Sequence, residues 1–393
     1  LSIRRQRQMC IRDRAYKGKA LLWAGSPLMN WVSGGSKEYN TELCKRAADA
    51  FGQALALTES TNRYELADFS EYNDIFLLHN SSGKLNGVKE SIFMENIKDY
   101  SFRWRWNMVN DFRPQSIESS GIKSYPTANY VNYYGMQNGY PINDMTKADA
   151  ESGYDPTHPW KNRDPRFYKT IMFDGVKWRN TGGAGGTAEL FTGGRESEEA
   201  NEKKGCFTAY MNSKLCPQLM NTFDGYKENN IMILSLMRLA DVYLMYAEAT
   251  AVGYNSPKGK AATYSLTAEE ALNKIRERAG VAPVLEKFLG STADFLSELR
   301  RERAVELSFE GFRFTDLRRW MLLTQYPYTL KTKIEFDRAD PNNYNYDAPE
   351  ENAIKNLREV VLIERKYTDR HYWYPLPKKD VSMYEGFYQN PGW

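Results

Sequence analysis

The chain has 393 residues, 41% hydrophobic and 26% charged, which is ample length and apolar content to bury a core. Its 53 basic and 50 acidic residues leave a net charge of +3, so no nucleic acid and no anionic membrane surface is implied as a partner. No run of 18 apolar residues encodes a membrane-crossing helix, and three scattered histidines and four cysteines without metal-type spacing argue against a zinc site.

Residues 1–14, LSIRRQRQMCIRDR, are basic but have no apolar h-region, so they do not read as a signal peptide, nor Cys10 as a lipobox cysteine. They resemble read-through of a sequencing adapter and are set aside from fold reasoning as a non-native scar. From Ala15 the pattern is regular. Ala15–Ala24 and Thr41–Leu57 carry apolar residues at helical spacing, and a Gly25-Ser26-Pro27 break separates them. Residues 15–60 are therefore expected to form a helical hairpin, with Trp31 and Tyr39 in its loop.

Residues 61–230 read differently. Short apolar runs at 91–94 and 168–173 are separated by polar, aromatic and glycine-rich loops. An extended 100–107 segment would place Trp104 and Trp106 on one face, since side chains alternate along a strand. The glycine-rich 181–194 stretch has no following Gly-Lys-Ser/Thr, so it is a loop rather than a phosphate cradle. Cys206 and Cys216 could bridge a short loop, which their spacing does not decide.

Helical periodicity returns at Ile233, with Leu236, Leu239, Ala240, Tyr243, Tyr246 and Ala247 as one stripe and Gly253 as its end. Thr267 with Glu270 forms a capping box opening a helix that Gly280 terminates. The helix opening at Ser291 follows, with Gly311 placed to stop it. Ten charged residues crowd the twenty positions from Arg300 to Arg319. Such a cluster is either an active site or an ion-pair lock, because both perturb the pKa of their members. We read it as a lock of Arg303, Glu306, Glu310, Arg313 and Asp316. Arg303 would meet Glu306 at i,i+3, and Arg313 would be the cation between Glu306 and Glu310.

No HExxH, P-loop, Gly-x-Ser-x-Gly elbow or dinucleotide fingerprint is present. Asp155, Asp164 and Asp174 lie in loop sequence, where turn and cap chemistry accounts for them. The residues thus describe a mainly α domain with aromatic loops and no catalytic signature.

Six segments in order resemble the RagB/SusD family. They are Ala24–Asn30, Asn162–Tyr168 (the family's NRDPRFY), Arg238–Ala249, Asn273–Gly280, Arg301–Leu317 and the closing Gln389-Asn390-Pro391-Gly392-Trp393. Ala304 stands where the family usually has a second Arg, and Leu239 where it has Tyr. The resemblance implies a SusD-like fold: tetratricopeptide-like helix pairs as scaffold, an irregular loop-rich region and a few short strands. Members are longer, so residues 15–393 resemble a member lacking its N-terminal part, with 231–393 as the C-terminal SusD/RagB region.

It also implies an outward-facing outer-membrane lipoprotein whose anchor is absent from this fragment. The implied ligand is an oligosaccharide, or in some members a peptide, handed to a SusC-like TonB-dependent β-barrel transporter. No cofactor and no enzymatic activity are implied. The family motifs carry no ligand contacts, so those come from physics: aromatic platforms on loops of a rigid scaffold. Trp104, Trp106, Tyr133 and Tyr134 are the first candidates, with Trp31 and Trp178 behind them. A glycoside hydrolase using loop carboxylates and a helical-repeat interaction module are the competing classes.

Overall fold

The structure, a computed structural model, describes residues 2–79, 88–94, 112, 124–180, 186–199, 205–216, 221, 223–224, 230–233, 235–383 and 385–393. Among the described residues its α-helices include α1 (Ser2–Ala24), α2 (Pro27–Gly34), α3 (Thr41–Thr61), α4 (Ala128–Val131), α5 (Pro165–Thr170), α6 (Leu239–Gly253), α7 (Ala268–Ala279), α8 (Thr292–Glu306), α9 (Arg313–Arg319) and α10 (Lys378–Met383). The helical chain already runs at Ser2, ahead of the expected Ala15, and Ile11 of that extension is buried.

The packing order is α1 on α3, α3 on α6, and α6 on both α7 and α8. Small residues make this possible. A Cβ on Gly18 would stand 2.6 Å from the Phe51 ring, so α1 sits on α3 at a distance only glycine permits. All fifteen residues of α6 are buried, as expected of a helix surrounded by others rather than one with a single apolar stripe.

Among the described residues the strands pair in four antiparallel ribbons: β1 (Leu77–His79) with β5 (Asn230–Met232), β2 (Ser91–Met94) with β6 (Ser235–Arg238), β3 (Ile171–Met172) with β4 (Met211–Asn212), and β7 (Leu330–Arg338) with β8 (Ile354–Glu364). β6 corrects the expected helix start at Ile233. Pairing with β2 holds that stretch extended, Leu236 is exposed, and the helix begins only at Leu239, whose N–H donates to the Glu90 carbonyl at 2.9 Å. The β7–β8 hairpin was not anticipated either. Its signal was the alternation in β7, where Thr332, Ile334, Phe336 and Arg338 are buried and their neighbours half-buried.

The loop-rich region has a core of its own, built from aromatic rings. Trp160 lies 5.0 Å from Phe173 and 5.2 Å from Phe336 between ring centroids, and Phe167 stacks on Phe173 at 5.2 Å. Much of the chain's aromatic content is used here, where helices do not supply the packing. Cys206 and Cys216 form no disulfide with each other.

Candidate functional site

α8 has two faces with opposite uses. Glu298, Glu302, Glu306 and, one turn beyond the helix, Glu310 recur every four residues and therefore share a side. All four are buried. Cations from distant segments converge on them. Arg276 of α7 binds Glu298 and Glu302. Arg166 of α5 binds Glu302 at 2.5 Å, Glu306 at 3.0 Å and its own N-cap residue Asp164 at 2.7 Å. Arg278 binds Glu306 at 2.5 Å and Glu90 at 3.2 Å. Arg238 spends five hydrogen bonds on Glu90, Glu306, Glu310 and the Glu306 carbonyl. Lys214 completes the set on Glu310 at 2.8 Å.

Burial pushes the Glu306 carboxyl up, but the charges of Arg278, Arg238, Arg166 and Lys214 outweigh it and hold the group well below the usual carboxylate range. Lys214 is pushed down to about 8, because burial outweighs the attraction of Glu310. A second network lies alongside. Asp316 accepts from Arg303 at 2.9 Å and Arg319 at 2.8 Å, Arg303 also reaches Asp241 at 2.9 Å, and Arg319 forks onto Glu248. Glu248 takes further bonds from Tyr39 and from the Trp320 indole, each at 2.8 Å.

This geometry revises the expected lock. Arg303 pairs with Asp241 and Asp316, not with Glu306. The cation between Glu306 and Glu310 is Arg238, not Arg313. Arg313 instead stacks over Tyr133 at 4.8 Å and Tyr328 at 5.4 Å, and it donates to the Arg300 carbonyl at 3.4 Å. The error came from weighing neighbours in sequence. α8 ends at Glu306 and the chain turns through Phe309 and Gly311 at positive φ, which carries Arg313 to the other side of the helix. The loop aspartates have structural partners: Asp164 holds Arg166, Asp174 holds Arg338 at 2.7 Å, and Asp155 accepts from the Thr157 backbone at 2.8 Å.

The opposite face of α8 floors an open groove of about 720 Å³. Ser297, Arg300 and Arg301 come from the helix, Asn129, Asn132 and Tyr133 from α4 and the turn after it, Tyr326 and Tyr328 from the loop before β7, and Glu359 and Val361 from β8. Arg301 is fully engaged: it pairs with Glu298 and donates to the carbonyls of Tyr133 at 3.1 Å and Gly139 at 2.9 Å. It is the strut that ties the α4 turn to α8. Gly135 makes this approach possible, because a Cβ there would stand 2.7 Å from the Arg301 guanidinium and the residue's φ is +44°. Two groove-lining residues keep a buried polar atom with no hydrogen-bond partner, Arg300 Nε and Asn132 Oδ1.

Of the four aromatic candidates among the described residues, Tyr133 alone lines this groove. Tyr134 and Trp178 are core residues, 0% and 2% exposed, and neither offers a face to a ligand. Tyr134 hydrogen-bonds Ser308 at 2.9 Å instead. Trp31 packs beside Leu28, Met321 and Tyr372, with Lys37 over its ring at 4.5 Å. Trp104 and Trp106 lie outside the described residues. Sequence reasoning passed over Tyr326 and Tyr328. The signal was the Tyr-Pro-Tyr triplet, aromatic rings on a stiff turn, and Tyr326 is 78% exposed.

The architecture is thus a helix-pair scaffold locked by buried ion pairs, with a groove built from α8, loops and β8 on one side. The SusD family model matches residues 89–393, and the chain belongs to that family. A solved SusD-like protein from Bacteroides fragilis NCTC 9343 is similar at 21% identity and a TM-score of 0.64, over 90% of this chain and 63% of its own. A SusD-like carbohydrate binding protein from the same organism is similar at 20% identity and a TM-score of 0.57, over 87% of this chain and 62% of its own. These likenesses show the shared fold, and the chain spans less than two thirds of either protein. No curated protein matches the sequence. Among the described residues no helix is long and apolar enough to cross a membrane, and no group of His, Cys, Asp and Glu could hold a metal ion.

Proposed function

We propose that this protein captures an oligosaccharide in the groove on α8 and passes it, without chemistry, to a SusC-like TonB-dependent transporter. It would act as a lipid-anchored protein on the outer face of the outer membrane. Family membership supports the class, and one structural relative is named a carbohydrate binding protein. The observation that carries the reading is the groove lining itself: the exposed ring of Tyr326 and the half-buried ring of Tyr328 beside the polar side chains of Asn129, Asn132, Arg300 and Arg313. Sugar rings offer that combination its counterpart, an apolar face edged by hydroxyls. Trp104, Trp106 and Trp31 are further proposed contacts. Tyr326→Ala should weaken glycan binding about tenfold, since an anchoring aromatic carries more than about 1 kcal/mol, and leave melting unchanged. Calorimetry across a glycan panel, with co-purification of a β-barrel from the native membrane, tests both halves. A protein that binds no glycan and retains no barrel defeats the proposal.

A further inference from the structure

The groove's charges are unevenly matched. Four cations line it, Lys287, Arg300, Arg301 and Arg313, against two carboxylates, Glu298 and Glu359. Glu298 is already engaged by Arg276 and Arg301, and Lys287 reaches Glu151 at 3.4 Å. Arg300 and Arg313 have no carboxylate partner among the described residues, and Glu359 is the one acidic group left facing them from β8. Elsewhere in this protein the opposite holds: every arginine on the buried side of α8 meets one or more carboxylates. The two arginines are also held in place. Arg300 lies over the Trp320 ring at 5.4 Å, and Arg313 is set between Tyr133 and Tyr328. A guanidinium so placed keeps its planar fork for a ligand and has already lost much of its freedom to move.

Beside them on β7, Lys331 is pushed down to about 8 by burial, then by the neighbouring charges of Arg365 and Arg313. Lys331, Arg313 and Arg365 thus stand as neighbours of like charge, although the chain as a whole is nearly neutral.

We infer that the groove selects an anionic oligosaccharide, one bearing carboxylate or sulfate groups, with Arg313 and Arg300 as the anion contacts and Tyr326 and Tyr328 as the ring platform. This rests on the glycan-binding reading and names its substrate class. A neutral sugar would leave both guanidinium groups without a counter-charge, whereas a carboxylate or sulfate accepts bidentate donation from either.

The test is a glycan array holding matched neutral, uronic-acid and sulfated oligosaccharides, together with acidic peptides, probed with the whole chain and with Arg313→Gln and Tyr326→Ala. Arg313 is outside the buried lock, so Arg313→Gln should melt as the parent does, and a circular-dichroism melt on the same sample checks this. The expected result is binding concentrated on the acidic glycans. It should weaken as NaCl rises from about 50 to about 500 mM, because partly exposed charge pairs are screened. Arg313→Gln should lower it at least about tenfold, the measure of one charge-assisted hydrogen bond. Binding confined to neutral glycans, or indifferent to salt and to Arg313→Gln, overturns the inference and leaves nutrient binding standing. Binding of acidic peptides alone overturns the glycan assignment, and no binding to any probe defeats both.

Discussion

Arg238→Met isolates the buried lock. Arg238 uses all five of its N–H donors on Glu90, Glu306, Glu310 and the Glu306 carbonyl, at 2.5 to 2.8 Å and fully buried. Methionine fills similar space but leaves three carboxylates short of a cation. The loss is smaller than three separate pairs, because each carboxylate keeps another partner: Arg278 for Glu90, Arg278 and Arg166 for Glu306, Lys214 for Glu310. Removing one member of a buried ion pair costs about 3–5 kcal/mol, and we take that range for the whole change. At roughly 2.1 cal/mol/K per residue, a chain of this length has an unfolding entropy of about 0.8 kcal/mol/K, so the melting temperature should fall about 4–6 °C. Circular dichroism at pH 7 measures it. Arg238→Lys keeps the charge but not the fork, and should fall between parent and Met variant. A Met variant melting within about 1 °C of the parent would refute the reasoning. The lock's benefit would then lie wholly in choosing one packing of the helices, since buried ion pairs replaced outright by apolar groups can be neutral or better.

Acid should act on the same network. Glu298, Glu302, Glu306, Glu310, Glu248 and Asp316 are each raised by burial but held lower on balance by their arginines. The folded state therefore binds fewer protons than the unfolded chain, and stability is present above the ordinary glutamate value of 4.5 and lost as pH falls below it. Asp174 and Glu196, both raised by burial, oppose the slope without reversing it. Melting curves should be level from about pH 7 to 5.5 and drop steeply below about 4.5; a level curve to pH 3 would contradict the assigned directions. Gly18→Ala gains about 0.5–1 kcal/mol of helix propensity but drives a methyl into the Phe51 ring, which costs about 1–3 kcal/mol, so its melting temperature should fall and not rise. Thr267→Ala removes the capping box of α7, whose two hydrogen bonds are 2.8 and 3.2 Å, and should lower stability by about 1 kcal/mol in chemical denaturation.

What was legible in the sequence was local. Ser291 caps α8 by accepting from the Asp294 N–H, Thr267 and Glu270 form their box, and Gly280 takes the left-handed cap at φ +71°, because each device needs only residues within one turn. The family segments were also legible, and the structure shows why they are what they are. Arg166, Arg238, Glu248, Arg276, Arg278 and Arg303, from four of those segments, are the residues of the two buried networks. The four-residue spacing of Glu298, Glu302, Glu306 and Glu310 is also in the sequence, although the expected lock took in only Glu306 and Glu310 of them.

Which arginine meets which carboxylate was not in the sequence. Arg166 and Glu306 are separated by 140 positions, Arg238 and Glu90 by 148, and only the folding of α5, β6 and α8 against one another sets those pairs. For the same reason the groove was hidden. Tyr133, Arg313 and Tyr326 come from separate turns, and nothing in their local spacing distinguishes them from buried Tyr134 or from paired Arg303. Sequence determined the helices, their caps and the residues available for a lock. Tertiary packing decided which charges were neutralised inside and which were left facing the groove, because a charge's partner is chosen by distance through space and not along the chain.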